Sequence, residues 1–594
     1  MLSTFKLLWS LFDENQRLKI KKLQILILFL SLFEIITISS VAAFMHLISN
    51  IESVISFSVI NKVYLYLGES SNSLIFISAV FLMIILSMST IFSVLGVKRI
   101  NKVSLDIGRE LAVNLFRYYQ NKNWLYHTQV NSNWIINRIF VETQRLTLNV
   151  LSPFLLMVSR LILVFLIGIT LIIYDPLVTI AGAVLFVGGY LIVFRITKPK
   201  LSQNSMRISK GNQQRLRHLN EGFGDIKNVI LLNKEEYFIQ KFEESSVKVM
   251  TAQSSNITLS VAPRYIMEWM AYVGMACLVL YLIAIQQKEM NQIIAIITLY
   301  GISAFKLLPS LQQIYSYIAN IRGNYSVVIE LAEDIVESTK IKKCNSIISK
   351  IKFMESIRME NINFSYPGKQ KSTIKNLTIE IKKNQFLGIV GPSGSGKSTL
   401  VDILSGLINI DSGRFIVDNE EIKENLLEWR KSISYVPQNV ILTAGSIAEN
   451  IAFGVDKNNI DIKQVNKAIK QAHLCEFLKQ LENGIDTQIG ERGVQLSGGQ
   501  QQRIGIARAL YNDNDILIFD EATSALDGIT EKLIMDAISK LNGHKTVILI
   551  AHRLKTVKNC DQILFINNGE LEAQGSYEFL LKNNKFFSKM VMHS

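Results

Sequence analysis

Residues 391–398 read Gly-Pro-Ser-Gly-Ser-Gly-Lys-Ser, which fits the spacing G-x-x-x-x-G-K-[ST] without a mismatch. Gly391, Gly394 and Gly396 let the backbone curl until successive N–H groups converge, and a helix beginning at the end of the curl adds its positive pole. Such a concavity takes phosphate oxygens, with Pro392, Ser393 and Ser395 completing its wall. Lys397 supplies a point charge for the β- and γ-phosphates, and the hydroxyl of Ser398, followed by Thr399, is the hard oxygen that a magnesium ion prefers. The plain alternative is a glycine turn before a helix. An eight-residue match of this kind arises by chance in roughly one chain in fifty of this length, so the flanking elements must decide.

Those elements have the right character. Phe386-Leu387-Gly388-Ile389-Val390 is short and apolar as a buried strand must be, and residues 398–404 read as the start of a helix. After about residue 340 the composition is that of an ordinary soluble domain with alternating strands and helices. The preceding half carries apolar runs near residues 23–48, 73–97, 151–174, 177–194, 265–285 and 293–318, suited to crossing a bilayer. The expected fold is therefore an α-helical six-span membrane domain over 1–332, a linker of little apolar periodicity over 333–351, and an α/β P-loop ATPase domain over 352–594.

The chain has 63 Lys and Arg against 49 Asp and Glu, a net charge of +14. That surplus is not the footprint of nucleic-acid binding, because it gathers beside apolar runs, as at Arg17, Lys19, Lys21 and Lys22 and at Lys98 and Arg99. Basic residues so placed face the anionic lipid of the inner leaflet, so membrane lipids are the expected partners and both termini belong in the cytoplasm. The polar helical stretches 100–149 and 198–260 then extend inward, while Asp175-Pro176 suits a tight outer turn. Residues 3–12 read as an amphipathic helix on the membrane surface, with Phe5, Leu8, Trp9 and Phe12 on one side. The first apolar run follows a charged lead-in and is too long for a cleaved signal core. Four scattered cysteines with no C-x-x-C pair indicate neither a zinc site nor a disulfide framework.

Further residues follow in order: Tyr366, Gln438 in Val-Pro-Gln, residues 487–493, Leu496-Ser497-Gly498-Gly499-Gln500, the apolar run ending in Asp520 and Glu521, Ser524 to Asp527, and His552. Taken alone, Tyr366 or His552 is a packed aromatic or a core histidine by about three to one. As an ordered set these motifs resemble ABC transporters of the exporter class, with membrane and nucleotide-binding domains fused, over nearly the whole chain. The resemblance implies ATP as the nucleotide, with Mg2+ held by Ser398, Gln438 and Asp520. It implies Glu521 as the base that polarises water, His552 as the γ-phosphate contact and Tyr366 as the adenine platform. Ser497, Gly498, Gly499, Gln500 and Asp527 would complete the site of a second copy, so a homodimer is implied. It further implies alternating access driven by ATP hydrolysis, with short coupling helices near residues 121–127 and 221–228.

Fold does not name cargo, so the apolar runs have to be searched for costly residues. Glu34, Arg160, Arg264, Glu268 and Lys306 would each cost about 2 to 3 kcal/mol or more facing lipid. Arg264 and Glu268, at i and i+4, suit a mutual pair, and Arg160 can snorkel. Lys306, mid-run and just before Pro309, is harder to explain structurally, and a cation there suits an anionic cargo. In overall pattern the chain most resembles bacterial flippases for lipid-linked oligosaccharides, whose cargo carries a pyrophosphate; Arg264, Lys306, Glu34 and Arg160 are the implied substrate residues. The competing readings are a multidrug, lipid or peptide exporter. An ATP-gated channel or regulator would be expected to have lost Glu521 or Gly498, and both are intact.

Overall fold

The computed structural model describes residues 9–49, 51, 64–66, 70–174, 176–284, 290–341, 349–368, 371–423, 425–490, 496–521, 528–551 and 553–592. Two compact units emerge, Met1–Lys122 with Tyr126–Lys343, and Asn123–Leu125 with Cys344–Ser594.

The first unit is helical. Its main elements are α1 (Glu14–Ser49), α2 (Ser71–Gln120), α3 (Ser152–Tyr174), α4 (Pro176–Gly224), α5 (Glu235–Val261), α6 (Pro263–Ala284), α7 (Met290–Gly323) and α8 (Tyr325–Lys340). Among the described residues, four stretches are long and apolar enough to cross a membrane: Glu14–Met45, Ser71–Gln120, Ser132–Ile173 and Pro176–Gly224. Helices α6 and α7 occupy the two remaining runs expected from the sequence. Large apolar side chains on α1 to α4, such as Phe29, Phe81, Phe165 and Val184, stand exposed on the single chain, as a lipid-facing surface requires. The same helices run on into the polar stretches, and six-residue helices, Trp124–Gln129 and Ile226–Leu231, overlap the ends of the stretches 121–127 and 221–228, while residues 221–224 belong to α4.

Helical spacing builds the polar end of this unit. Ile20, Leu23 and Ile27 of α1 share a buried cluster with Ile107, Leu111 and Leu115 of α2 and with Val327, Leu331 and Ile335 of α8. Two expectations change here. Helix α8 continues through Lys340, well into the stretch read as linker, because Leu331 and Ile335 pack fully into that cluster despite their acidic neighbours. Leu11 and Phe12 are buried in it too, so Phe12 does not face lipid. Phe5, Leu8 and Asp175 lie outside the described residues.

The second unit is built on a six-stranded sheet. Its strands are β1 (Ser356–Phe364), β2 (Ile374–Lys382), β3 (Phe386–Val390), β4 (Ser412–Val417), β5 (Glu420–Glu421), β6 (Ile433–Val436), β7 (Gly445–Ser446), β8 (Gln488–Ile489), β9 (Ile516–Asp520), β10 (Thr546–Ile550), β11 (Gln562–Asn567) and β12 (Glu570–Gly575). The main sheet has the order β12-β11-β3-β10-β9-β6, and a four-stranded sheet has the order β2-β1-β4-β5. In the main sheet β11, β3, β10, β9 and β6 run parallel. Their continuous apolar sequences follow from burial on both faces. Phe386, Val390, Leu517, Phe519, Val547 and Leu549 pack into one core, while Leu387, Ile389, Ile516, Ile518, Ile548 and Ile550 pack into the other.

Candidate nucleotide site

Parallel strands place all their carboxyl ends along one edge, where α/β folds gather ligands. Here β3 leads into residues 391–398, β6 into Pro437 and Gln438, β9 into Glu521, and β10 into Ala551. Residues far apart in sequence are thus brought to one edge by topology alone. His552, one residue beyond Ala551, and Asp527 lie outside the described residues, as do residues 491–495.

The loop itself is a cradle with no room for a side chain at Gly391 and little at Gly396. Gly391 has φ +155°, and a Cβ there would sit 2.0 Å from the carbonyl oxygen of Ile566. Gly396 has φ +104° and precedes helix α9 (Lys397–Leu404), whose first N–H groups have no partner within the helix. The backbone of Gly569 donates to the Ser395 carbonyl at 3.0 Å and pins the loop from β12's side. At the far end of α9, Trp429 Nε1 donates to the Leu404 carbonyl at 2.7 Å and Arg430 Nε to that of Gly406 at 2.8 Å.

Lys397 is buried and donates to the carbonyls of Gly391 and Pro392, both at 2.9 Å, so its ammonium lies folded across the loop. Burial pushes it below the ordinary lysine range, while the carboxylates of Glu521 and Asp520 act in the opposite direction. The Ser395 hydroxyl is buried without a partner, and Ser398 is exposed beside it in sequence. Tyr366 lies against this end of α9, its hydroxyl 3.1 Å from Thr399 Oγ1 and its ring edge-on to Phe364.

The acidic pair ends β9. Asp520 accepts from the Tyr435 hydroxyl at 2.8 Å, leaving its other oxygen for a cation. Glu521 adopts φ +50°, a left-handed conformation that costs a non-glycine residue on the order of 1 to 3 kcal/mol. Its N–H donates to the Ile550 carbonyl of β10 at 3.1 Å, and its Oε2 accepts from Gln438 Nε2 at 2.6 Å. With its nitrogen committed to Glu521, the Gln438 amide has its oxygen left to offer a metal. The phosphate cradle, the orphaned Ser395 hydroxyl and the oxygen donors of Ser398, Asp520 and Gln438 therefore fit a magnesium-bound nucleoside triphosphate.

Ser497 and Gln500 have a local role. They form a capping box on helix α10 (Gly498–Tyr511): Ser497 Oγ accepts from the Gln500 N–H at 3.3 Å, and Gln500 Oε1 accepts from the Ser497 N–H at 2.9 Å. Gly498 and Gly499 form the first helical positions, so their N–H groups point out of the helix end. Among the described residues, no hydrogen bond joins Ser497, Gly498, Gly499 or Gln500 to the loop 391–398.

Sequence reasoning missed Tyr435 and Asp402. The first is set beside Asp520 by the pairing of β6 with β9, a long-range contact with no local signature. The second sits one turn after Ser398 on α9, and burial, together with the charge of Asp520, pushes its carboxyl up to about 6. Only the chain spacing of a helix, i to i+4, could have pointed to it.

The candidate substrate residues do not converge. Arg264 Nε donates to Glu268 Oε1 at 2.6 Å, the i to i+4 pair anticipated from spacing. Glu34 Oε1 accepts from Ser93 Oγ at 3.1 Å, while its Oε2 is buried without a partner. Arg160 and Lys306 are half-buried on α3 and α7, and α7 continues through Pro309. Among the described residues, no ion pair or hydrogen bond links any two of Glu34, Arg160, Arg264 and Lys306.

Two family models match the chain, the ABC transporter transmembrane region over residues 36–305 and the ABC transporter domain over 374–524. An ATP-dependent lipid A-core flippase of Pasteurella multocida is 41% identical over 39% of this chain, a match that spans only 40% of that relative's length. A protein of the same description from Pseudomonas fluorescens (strain Pf-5) is 28% identical over 84% of this chain and 82% of its own. A "Putative export ATP-binding/permease protein" of Rickettsia bellii is 31% identical over 85% of this chain and 87% of its own. Among solved structures, a bacterial Atm1-family ABC exporter with ATP bound superposes with a TM-score of 0.79 at 21% identity, covering 98% of this chain and 99% of that one, a likeness of fold. With the transmembrane region, the phosphate loop, the signature helix and the acidic strand end in one polypeptide, the chain belongs to the ABC transporters, as a fused half-transporter whose ATPase domain drives transport across a membrane.

Proposed function

We propose that two copies of this chain form an exporter of the cytoplasmic membrane, with both termini in the cytoplasm, that flips a phosphate-headed glycolipid by alternating access. The observation that carries the ATPase part is the Glu521–Gln438 hydrogen bond at the same sheet edge as the phosphate loop. Glu521 would orient and deprotonate the attacking water, and Lys397 would leave its two carbonyls for the phosphates. Ser398, Asp520 and Gln438 would hold Mg2+, which supplies charge neutralisation at the transferred phosphate. His552 and Asp527 keep the γ-phosphate and inter-copy contacts implied by resemblance, and Tyr366 the adenine contact. Because, among the described residues, the α10 N-terminus has no hydrogen bond to its own phosphate loop, the segment Leu496-Ser497-Gly498-Gly499-Gln500, the signature of this family, is available to close over the nucleotide of a second copy, which favours a homodimer with two such sites.

The cargo reading rests on the lipid A-core flippases among the relatives and on Lys306. Arg264 is neutralised in part by Glu268, which moves the weight of headgroup recognition to Lys306. A lipid-linked oligosaccharide has the required chemistry, an anionic pyrophosphate between sugar and apolar tail. The test is ATPase stimulation of reconstituted protein by a panel of polyprenyl pyrophosphate sugars, lipid A-type glycolipids, zwitterionic lipids and drugs. Phosphate-headed glycolipids should stimulate, and Lys306→Gln should raise the half-stimulating concentration about tenfold or more, the loss of one charge-assisted contact. Stimulation by uncharged drugs alone would sink the headgroup reading and leave a multidrug exporter.

A further inference from the structure

A groove with a volume of about 690 Å³ lies between the first turns of α1 and the polar end of α2. Four basic side chains line it, Lys19 and Lys22 from α1 and Arg109 and Arg117 from α2, against two carboxylates, Asp13 and Glu110. Glu110 is spent on Lys19 within the groove, and Asp13 caps the start of α1, so Lys22, Arg109 and Arg117 are left in excess. Glu110 accepts from Lys19 Nζ at 2.5 Å and from Gln16 Nε2 at 3.3 Å, and Asp13 Oδ1 accepts from the Gln16 N–H at 2.7 Å. Lys22 has no hydrogen bond or ion pair among the described residues, and Arg109 has only a 3.9 Å approach to Glu110. The groove is therefore electropositive, with cations available to a ligand.

Its surroundings are what distinguish a lipid from a soluble anion. Leu18, Lys22, Ile25, Phe29 and Leu32 follow at intervals of four, three, four and three residues, so they share one face of α1. Leu18 is 53% exposed, Ile25 71%, Phe29 59% and Leu32 45%, while Ile20, Leu23 and Ile27 on the opposite face are buried against α2. The exposed apolar stripe thus runs directly into the groove, with Lys22 at the junction. The apolar run of α1 begins at Leu23, directly after Lys19 and Lys22.

We infer that this groove is a binding site for the headgroup of an anionic phospholipid of the cytoplasmic leaflet, whose acyl chains lie along Ile25, Phe29 and Leu32. The site is separate from the cargo path and does not depend on the cargo's identity. An occupant there bridges α1 and α2, the two helices that meet α8 in the buried cluster below, so a bound lipid braces that cluster.

The test uses the full chain in mild detergent and in nanodiscs, with individual lipid-binding events counted by native mass spectrometry. Phosphatidylglycerol should bind in preference to phosphatidylcholine of the same chains, and salt at about 0.5 M, which largely screens surface charges, should reduce the difference. Replacing Lys22, Arg109 and Arg117 together by Gln should weaken phosphatidylglycerol binding about tenfold or more. The matching Lys22→Arg, Arg109→Lys, Arg117→Lys variant keeps the charge and should bind like wild type, which separates loss of a site from loss of fold. Inorganic phosphate and glycerol phosphate at equal concentration should fail to displace the lipid. Equal binding of both lipids, full retention by the Gln variant, or displacement by free phosphate would each overturn the assignment.

Discussion

Gln438 Nε2 donates to Glu521 Oε2 across 2.6 Å, tying the loop after β6 to the residue that follows β9. The bond holds the Glu521 carboxylate from one side while its left-handed backbone is anchored to Ile550 from the other. Both constraints fix the carboxylate that is proposed to orient and deprotonate the attacking water. Glu521→Gln should therefore retain ATP binding and lose turnover by about a hundredfold or more, the usual contribution of a general base. Gln438→Ala should lose about tenfold, because the carboxylate remains but loses the bond from Gln438 that orients it. Steady-state ATPase rates and equilibrium nucleotide binding on both variants check this; wild-type turnover by Glu521→Gln would remove the residue from that role.

Gly391→Ala should be destabilising out of proportion to its size. The added Cβ would meet the Ile566 carbonyl at 2.0 Å, and the backbone at φ +155° cannot relax without moving the loop. Overpacking and strain together should cost about 3 kcal/mol or more. Calorimetry of the full chain should show the transition of the second unit lowered, and ATP should no longer raise it. An unchanged melting profile would mean that the loop is looser than its contacts imply.

Asp402 offers a pH signature. Its carboxyl titrates near 3.8 when exposed and is pushed up to about 6 by burial in the fold. Between those values the unfolded chain gives up this proton first, so the folded form binds more protons and stability falls as pH rises from about 4 to about 6. The group thus favours the fold below that window and opposes it above, by on the order of 2 kcal/mol. Asp402→Asn cannot ionise and should abolish this part of the fall. Comparing urea unfolding of both forms at several pH values from 4 to 7 isolates it, and parallel pH profiles would contradict the assignment.

Much of the second unit was legible because its signals are local. A strand, a glycine loop and a helix start occupy consecutive residues from Phe386 to Leu404, and each is dictated by near neighbours. The i to i+4 pairing of Arg264 with Glu268 was legible for the same reason. What escaped depends on the order of strands or on which helix faces which. Tyr435 reaches Asp520 only because β6 lies next to β9. Leu11, Phe12 and the later turns of α8 are buried only because α1, α2 and α8 converge, a fact absent from any single window. The capping box of Ser497 and Gln500 was present in the spacing Ser-x-x-Gln, yet the same letters serve the transporter signature, and one function masked the other.

The signature helix should behave as a contact between copies. Gly498→Asp puts a negative charge where helix N–H groups would meet phosphate, while Ser497→Arg adds bulk and breaks the capping box, which alone is worth about 1 kcal/mol. Both should abolish ATP-dependent closure of paired domains, read by cysteine cross-linking, with per-chain nucleotide affinity changed less than about threefold. Loss of affinity in step with closure would place the signature within the chain's own site.

The most direct measurement is ATP-dependent flipping in sealed proteoliposomes, with a fluorescent pyrophosphate-linked glycolipid whose leaflet is read by reduction with a membrane-impermeant reagent. Wild-type protein with Mg-ATP should move the glycolipid several-fold faster than without nucleotide, and Glu521→Gln should return the rate to that of nucleotide-free vesicles. Equal rates with and without ATP, or an undiminished rate in Glu521→Gln, would contradict an ATP-driven flippase.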